Sequence, residues 1–240
     1  MKNLLLSVFF GLSISVFCQV DEVYIVTSPK LNVRSGPGTT HEIIDQLKQG
    51  QEVVVTSVYN SSWYKIDLGY GDAYVYSKLI TNDPEWSKKY LSSGADPNCD
   101  NIYPKYDKEI DNYLKVNVGS NTDVVIKLIN TNYYGYEECM RIVYIRSGDT
   151  FNIKNIPEGK YYLKIAYGKD WRHKIIQGKC YGKFMRRPLY EKGNEILDFN
   201  LQKTYNGFNV PSFELSLDVI ETDYKNSFRT NEISEEEFNN

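Results

Sequence analysis

Leu31-Asn32-Val33-Arg34-Ser35-Gly36-Pro37-Gly38 is the stretch on which the fold turns. Leu31 and Val33 alternate with Asn32 and Arg34, the period-2 pattern of a strand that buries one face. Pro37 pre-sets a turn, and the glycines beside it relieve the backbone of a tight loop. Outward from this stretch the chain breaks into further short runs, at 23–26, 43–47, 52–58, 63–67 and 73–76. Pro29-Lys30, Gln49-Gly50, Asn60-Ser61-Ser62 and residues 69–72 separate them. Gly50 marks a hairpin that asks for positive φ. Short strands at this spacing predict a small barrel or sandwich. The 21 Tyr among 240 residues agree with this, because Tyr suits a pleated, half-buried surface.

Three further landmarks follow the first in order. They are Ile43-Ile44-Asp45-Gln46-Leu47-Lys48-Gln49-Gly50, Trp63-Tyr64-Lys65-Ile66, and Ala73-Tyr74-Val75-Tyr76-Ser77-Lys78-Leu79-Ile80. Together the four resemble a bacterial SH3 (SH3b) domain, although Ala73-Tyr74-Val75 stands where that family has Gly-Trp-Val. The resemblance implies an SH3-like barrel over residues 22–82 in an exported bacterial protein. It also implies a module that targets the envelope, often beside a cell-wall hydrolase. Arg34 reads in two ways: its planar fork holds loop carbonyls, or it contacts ligand. Trp63 is either part of the barrel's packing or one wall of a shallow groove shared with Tyr64, Tyr74 and Tyr76. Aromatic faces with polar tips suit glycans and extended peptides. The candidate ligand-binding set is therefore Arg34, Trp63, Tyr64, Tyr74 and Tyr76.

The N-terminus places Lys2 before an apolar run at 4–18, the plan of a secretory signal peptide. The run is shorter than the ~20 residues of a spanning helix. Cleavage after Cys18 is expected, with lipid attachment at Cys18 as the alternative, which the bulky Phe17 disfavours. The expected location is periplasmic, cell-surface or extracellular, with no membrane span once the signal is removed. Export places Cys99, Cys139 and Cys180 in an oxidising compartment. Cys139 and Cys180 are the expected disulfide, since both fall in the second domain.

Residues 83–110 read as a linker, with a short helix at 85–91 capped by Asp83. Period-2 strands return over 111–220. Leu114, Val116 and Val118 alternate with polar residues, as do Phe213, Leu215 and Leu217; residues 123–130 form an apolar run, and 161–167 alternate again. This predicts an antiparallel β-sandwich. Ile156-Pro157-Glu158-Gly159-Lys160-Tyr161-Tyr162-Leu163 resembles the turn and strand of prealbumin-like, carboxypeptidase-regulatory-like sandwich domains, which are not catalytic. The fold class is thus all-β, a small SH3-like barrel followed by a sandwich. Lys169, Trp171, Arg172, Lys174, Lys183, Arg186 and Arg187 crowd one stretch. That stretch is either a solvated loop or a patch for an anionic glycan, peptide or lipid head group. Residues 221–240 read as a polar, flexible tail.

The sequence offers little for catalysis. It has two His, no Gly-x-Ser-x-Gly, and no paired zinc-ligand spacing. With a net charge of -3 it lacks the basic excess of a nucleic-acid binder. The expectation is a non-enzymatic binding protein without catalytic residues, metal or cofactor. Its partner is a cell-wall glycan or peptide, or an envelope protein. The alternative is a structural subunit acting by protein contacts.

Overall fold

The computed structural model describes residues 21–69, 71–97, 103–131, 135–218 and 229–240. The expected signal peptide at 1–18, with Cys18, and also Cys99 lie outside them. Among the described residues, no helix is long and apolar enough to cross a membrane.

The first unit is one sheet of β1 (Glu22–Val26), β2 (Lys30–Arg34), β3 (Ile43–Lys48), β4 (Glu52–Val58), β5 (Trp63–Asp67), β6 (Asp72–Tyr76) and β7 (Ile80–Asn82). The spatial order is β3-β2-β6-β5-β4-β1-β7. The alternation read from the sequence sets the faces: Leu31, Val33, Val53, Val55, Ile66, Ala73 and Val75 fill its core. The barrel is open, because the edge strands β3 and β7 do not pair with each other. Gly50 has a φ of 86°, as its hairpin requires. Gly36 serves a different purpose: a Cβ there would lie 2.4 Å from the His41 ring, so glycine makes room for the imidazole.

The second unit starts at β8 (Ser87–Lys88). It continues with β9 (Tyr113–Val118), β10 (Asp123–Thr131), β11 (Glu137–Ile145), β12 (Thr150–Lys154), β13 (Lys160–Ile176), β14 (Lys179–Gly193) and β15 (Leu197–Asp198). It ends with β16 (Gln202–Thr204), β17 (Gly207–Asn209), β18 (Phe213–Leu217), β19 (Thr230–Glu232) and the helix α1 (Glu235–Asn239). The sandwich packs a large sheet, ordered β11-β10-β13-β14-β19, on a small one, ordered β12-β9-β18. One pairing departs from the antiparallel expectation: β9 and β18 run parallel. Val124, Ile126 and Leu128 of β10 meet Leu114 and Val116 of β9 in the core between the sheets. Val125 faces the other way, so β10 is covered on both sides, which its continuous apolar run anticipates. Tyr161 is fully buried and donates its hydroxyl to the Pro157 carbonyl at 2.8 Å, closing the turn read from the sequence.

Three expectations are corrected. The 85–91 segment is not a helix. Asp83 Oδ1 does accept from the Glu85 N–H at 3.1 Å, but β8 then pairs with Arg172 and His173 of β13, and Trp86 is buried. Tertiary pairing outweighs the local cap. The described parts of 83–110 are also more than a linker. The Gly94 N–H donates to the Tyr144 carbonyl at 2.8 Å, and the Lys105 N–H to that of Met140 at 3.1 Å. These bonds cover the edge of β11 that would otherwise template aggregation. The end of the chain is ordered too: β19 pairs with β14, and Phe238 of α1 is fully buried. The hairpin of β16 and β17 stands out from the packing, with residues 202–210 all exposed and Tyr205 and Phe208 large apolar groups among them.

Candidate functional site

The candidate site grows from the β5–β6 register. Trp63 lies opposite Tyr76, and Lys65 opposite Tyr74. Because faces alternate, the buried Ile66 and Val75 place Trp63, Lys65, Tyr74 and Tyr76 on the outer face of the sheet. Trp63 and Tyr76 bring their ring centroids to 5.8 Å. Tyr59, in the turn after β4, meets Tyr74 edge-on at 5.9 Å and is 59% exposed. Lys65 pairs with Asp72 at 2.6 Å, and this carboxylate holds the ammonium above its ordinary range. The result is an aromatic platform with one ion pair at its edge. Such a surface stacks sugar rings or peptide planes and offers hydroxyls at its margin.

The platform keeps three of the five expected residues. Tyr64 points to the core side, its ring 5.7 Å from that of Tyr24. Arg34 lies opposite Tyr74, but its Nη1 donates to the carbonyls of Thr39 at 3.0 Å and His41 at 2.7 Å. It staples the loop that Gly36 and Pro37 open. Tyr59, Lys65 and Asp72 were missed. The signal for Lys65 and Asp72 is their outward register with Tyr74, which strand alternation alone would have supplied.

Beyond Lys65 the platform runs into a cleft of about 500 Å³ between the two units. Asp67, Gly69 and Asp72 line one side, and Asn121, Lys169, Arg186 and Arg187 the other. Of the expected anionic-ligand patch, Lys169, Arg186 and Arg187 line this cleft, and five of its cations have carboxylate partners. Lys169 donates to Asp123 at 2.8 Å and to Ser147 at 2.7 Å. Arg172 holds Asp170 at 3.0 Å, and Arg186 holds Asp21 at 3.0 Å and Asp67 at 3.1 Å. Lys174 lies 3.5 Å from Asp83, and Lys183 lies 2.8 Å from Glu52. Both ammoniums sit over the Trp86 ring, at 4.7 and 5.0 Å. Trp171 is buried against Phe184 with centroids 5.0 Å apart. Arg187 has a left-handed φ of 49° and lies across Gly69. The stretch is the β13–β14 hairpin, not a loop, and Lys183 and Arg186 turn their charges onto Glu52 and Asp67 of the first unit. Burial works to raise the Asp21 carboxyl, but Lys88, Arg186 and Arg172 outweigh it and hold the group below the ordinary carboxylate range.

The expected Cys139–Cys180 bridge is also corrected. Cys139 is a free thiol on β11, while Cys180 is in a disulfide, so its partner lies outside the described residues. Register explains the miss: Cys139 is on β11 opposite Ile129 and Cys180 is on β14 opposite Ile175, with β10 and β13 between the two strands. Burial pushes the Cys139 thiol up to about 11, the reverse of what a thiolate nucleophile needs. Accordingly, a thiol-reactive reporter added to the native protein at pH 8 will label Cys139 slowly, and denaturant will accelerate labelling by orders of magnitude. Rapid native labelling would contradict that burial.

In comparison with known proteins, residues 29–81 match the family model of the bacterial SH3 domain. No curated protein and no solved structure matches the chain.

Proposed function

From the premise that residues 29–81 are a bacterial SH3 domain, we propose that this is an exported, non-catalytic protein that recognises envelope glycan or peptide. The observation that carries the reading is the outward row of Trp63, Tyr76, Tyr74 and Tyr59. The rings are pre-positioned by strand register, so little side-chain entropy is lost on contact. The Lys65–Asp72 pair beside them supplies a donor and an acceptor for hydroxyls or amides. The second unit acts as a support, because its cations are turned inward onto the SH3 domain.

Co-sedimentation with purified peptidoglycan tests the reading. The protein pellets at low salt and, since stacking dominates, largely also at high salt. Trp63→Ala weakens binding roughly tenfold, as an aromatic contact of ~1–1.5 kcal/mol implies. Absence of pelleting at low salt would remove the proposal, as would an undiminished Trp63→Ala variant.

One observation favours the alternative, a subunit that works through protein contacts. The β16–β17 hairpin is exposed throughout, and an isolated two-stranded hairpin is marginal in water. On that reading the protein pellets only with envelope fragments that keep their proteins, and the double variant Tyr205→Ser, Phe208→Ser abolishes pelleting.

A further inference from the structure

The outer face of the large sheet carries a second concavity, on the side of the molecule that α1 covers. Val125 of β10, Ile142 of β11 and Trp171 of β13 form its floor, and Phe238 of α1 forms one wall. The cavity has a volume of about 250 Å³. At ~30 Å³ per water in the liquid, that is room for a group of about eight to ten heavy atoms. Its polar lining includes the amines of Lys127 and Lys179, with Asn239 and the disulfide-bonded Cys180 beside them.

The charge around this cavity contrasts with the rest of the hairpin. Elsewhere on the hairpin each of Lys169, Arg172, Lys174, Lys183 and Arg186 has a carboxylate partner. Here Lys127 Nζ donates to the Phe238 carbonyl at 2.6 Å and lies 4.5 Å over the Phe238 ring. Lys164 Nζ donates to the Glu237 carbonyl at 2.7 Å, and Lys179 Nζ to Asn239's neighbour Asn240, at Oδ1, at 2.9 Å. Lys164 feels the carboxylates of Glu137 and Glu237, whereas around Lys127 the nearby charges among the described residues are the ammoniums of Lys164 and Lys179. A sequestered ammonium without a counter-ion is costly. Burial first of all, with Lys164 and Lys179 adding to it, brings Lys127 down to about 8, opposed only by Cys139.

From this geometry we infer that the cavity binds a small amphipathic carboxylate, its apolar part on Val125, Ile142, Trp171 and Phe238 and its charge on Lys127. The acid completes a counter-charge that the fold leaves out, while an ammonium of the same shape would add a fourth cation. Each Lys127 donor beyond the one given to Phe238 is available to a carboxylate oxygen. This site is independent of the platform on the SH3 domain.

Isothermal titration with three matched probes, octanoate, octanol and octylamine, tests the inference. At pH 7 octanoate binds saturably at one site, octanol roughly tenfold more weakly, and octylamine not at all, as a charge-assisted contact implies. Lys127→Met brings octanoate and octanol to parity. Lys127→Arg restores the preference, which separates lost charge from lost fold. Raising the pH from 7 to 10 in the wild type erodes the preference as Lys127 deprotonates. The inference is overturned if octanoate shows no saturable binding, if octanol matches it in the wild type, or if Lys127→Met keeps the preference with its thermal transition intact.

Discussion

Phe238→Ala lowers the stability of the protein by about 3–5 kcal/mol, the range for emptying a buried aromatic site. At this chain length that moves the thermal midpoint by roughly 10 °C. The size follows from where the ring sits. It is fully buried, 5.3 Å from the Tyr190 ring and 6.5 Å from that of Trp171, although it lies two residues from the end of the chain. A helix of five residues does not hold itself in water. Ser234 caps it by accepting the Glu237 N–H at 3.0 Å, and Glu235 to Glu237 suit its positive end. Those terms are each near 1 kcal/mol, so docking of Phe238 must supply the rest. Urea unfolding followed by circular dichroism measures it. A change below ~1 kcal/mol would mean that the end of the chain does not dock in solution.

Asp170→Asn is the second large effect, a loss of about 3 kcal/mol. The Asp170 and Arg172 side chains are 3% and 5% exposed, with Nη2 and Oδ2 3.0 Å apart. Asp170 has a left-handed φ of 59°, which Asn tolerates, so the substitution removes charge without straining the backbone. Arg172 is then left with Asp21, whose carboxylate is farther off at 3.7 Å. Much of the cost is a buried guanidinium left with this weaker pairing, so adding Arg172→Met to Asp170→Asn should recover part of the loss. If the double variant is no more stable than Asp170→Asn alone, the pair is solvated and the interface is not held by it.

What the sequence reveals follows the range of the interactions. Alternation is local, so Leu31 and Val33, Val53 and Val55, Leu114 and Val116 announce their faces, and Pro157, Gly159 and Tyr161 announce their turn. The same alternation carried the platform as far as Trp63, Tyr74 and Tyr76. It also placed Tyr64 on the opposite face, a consequence the sequence reading did not draw. The 169–187 stretch resisted because most of its counter-charges are distant, Asp170 excepted. Arg172 reaches the Asp21 carbonyl across 151 positions, and Lys183 reaches Glu52 across 131. Seen alone, such a run has the composition of a solvated loop. One local clue was there: Gln177 and Gly178 take φ of 50° and 77°, the signature of a two-residue hairpin turn. The tail misled for the reverse reason, since three glutamates precede the single Phe238 that matters.

β13 runs 17 residues, ~55 Å at strand rise. Its first half belongs to the sandwich core, and its second half reaches the SH3-type unit through Arg172, which bonds the Asp21 carbonyl beside β1, and Lys174, 3.9 Å from Glu52. One beam therefore carries both units, with a single irregularity between Tyr167 and Lys169. A pull on the SH3 domain by an anchored ligand is delivered along the strand into the sandwich as shear, which a full ladder of hydrogen bonds resists together. The two units are joined less like beads on a string than like the arms of a bracket.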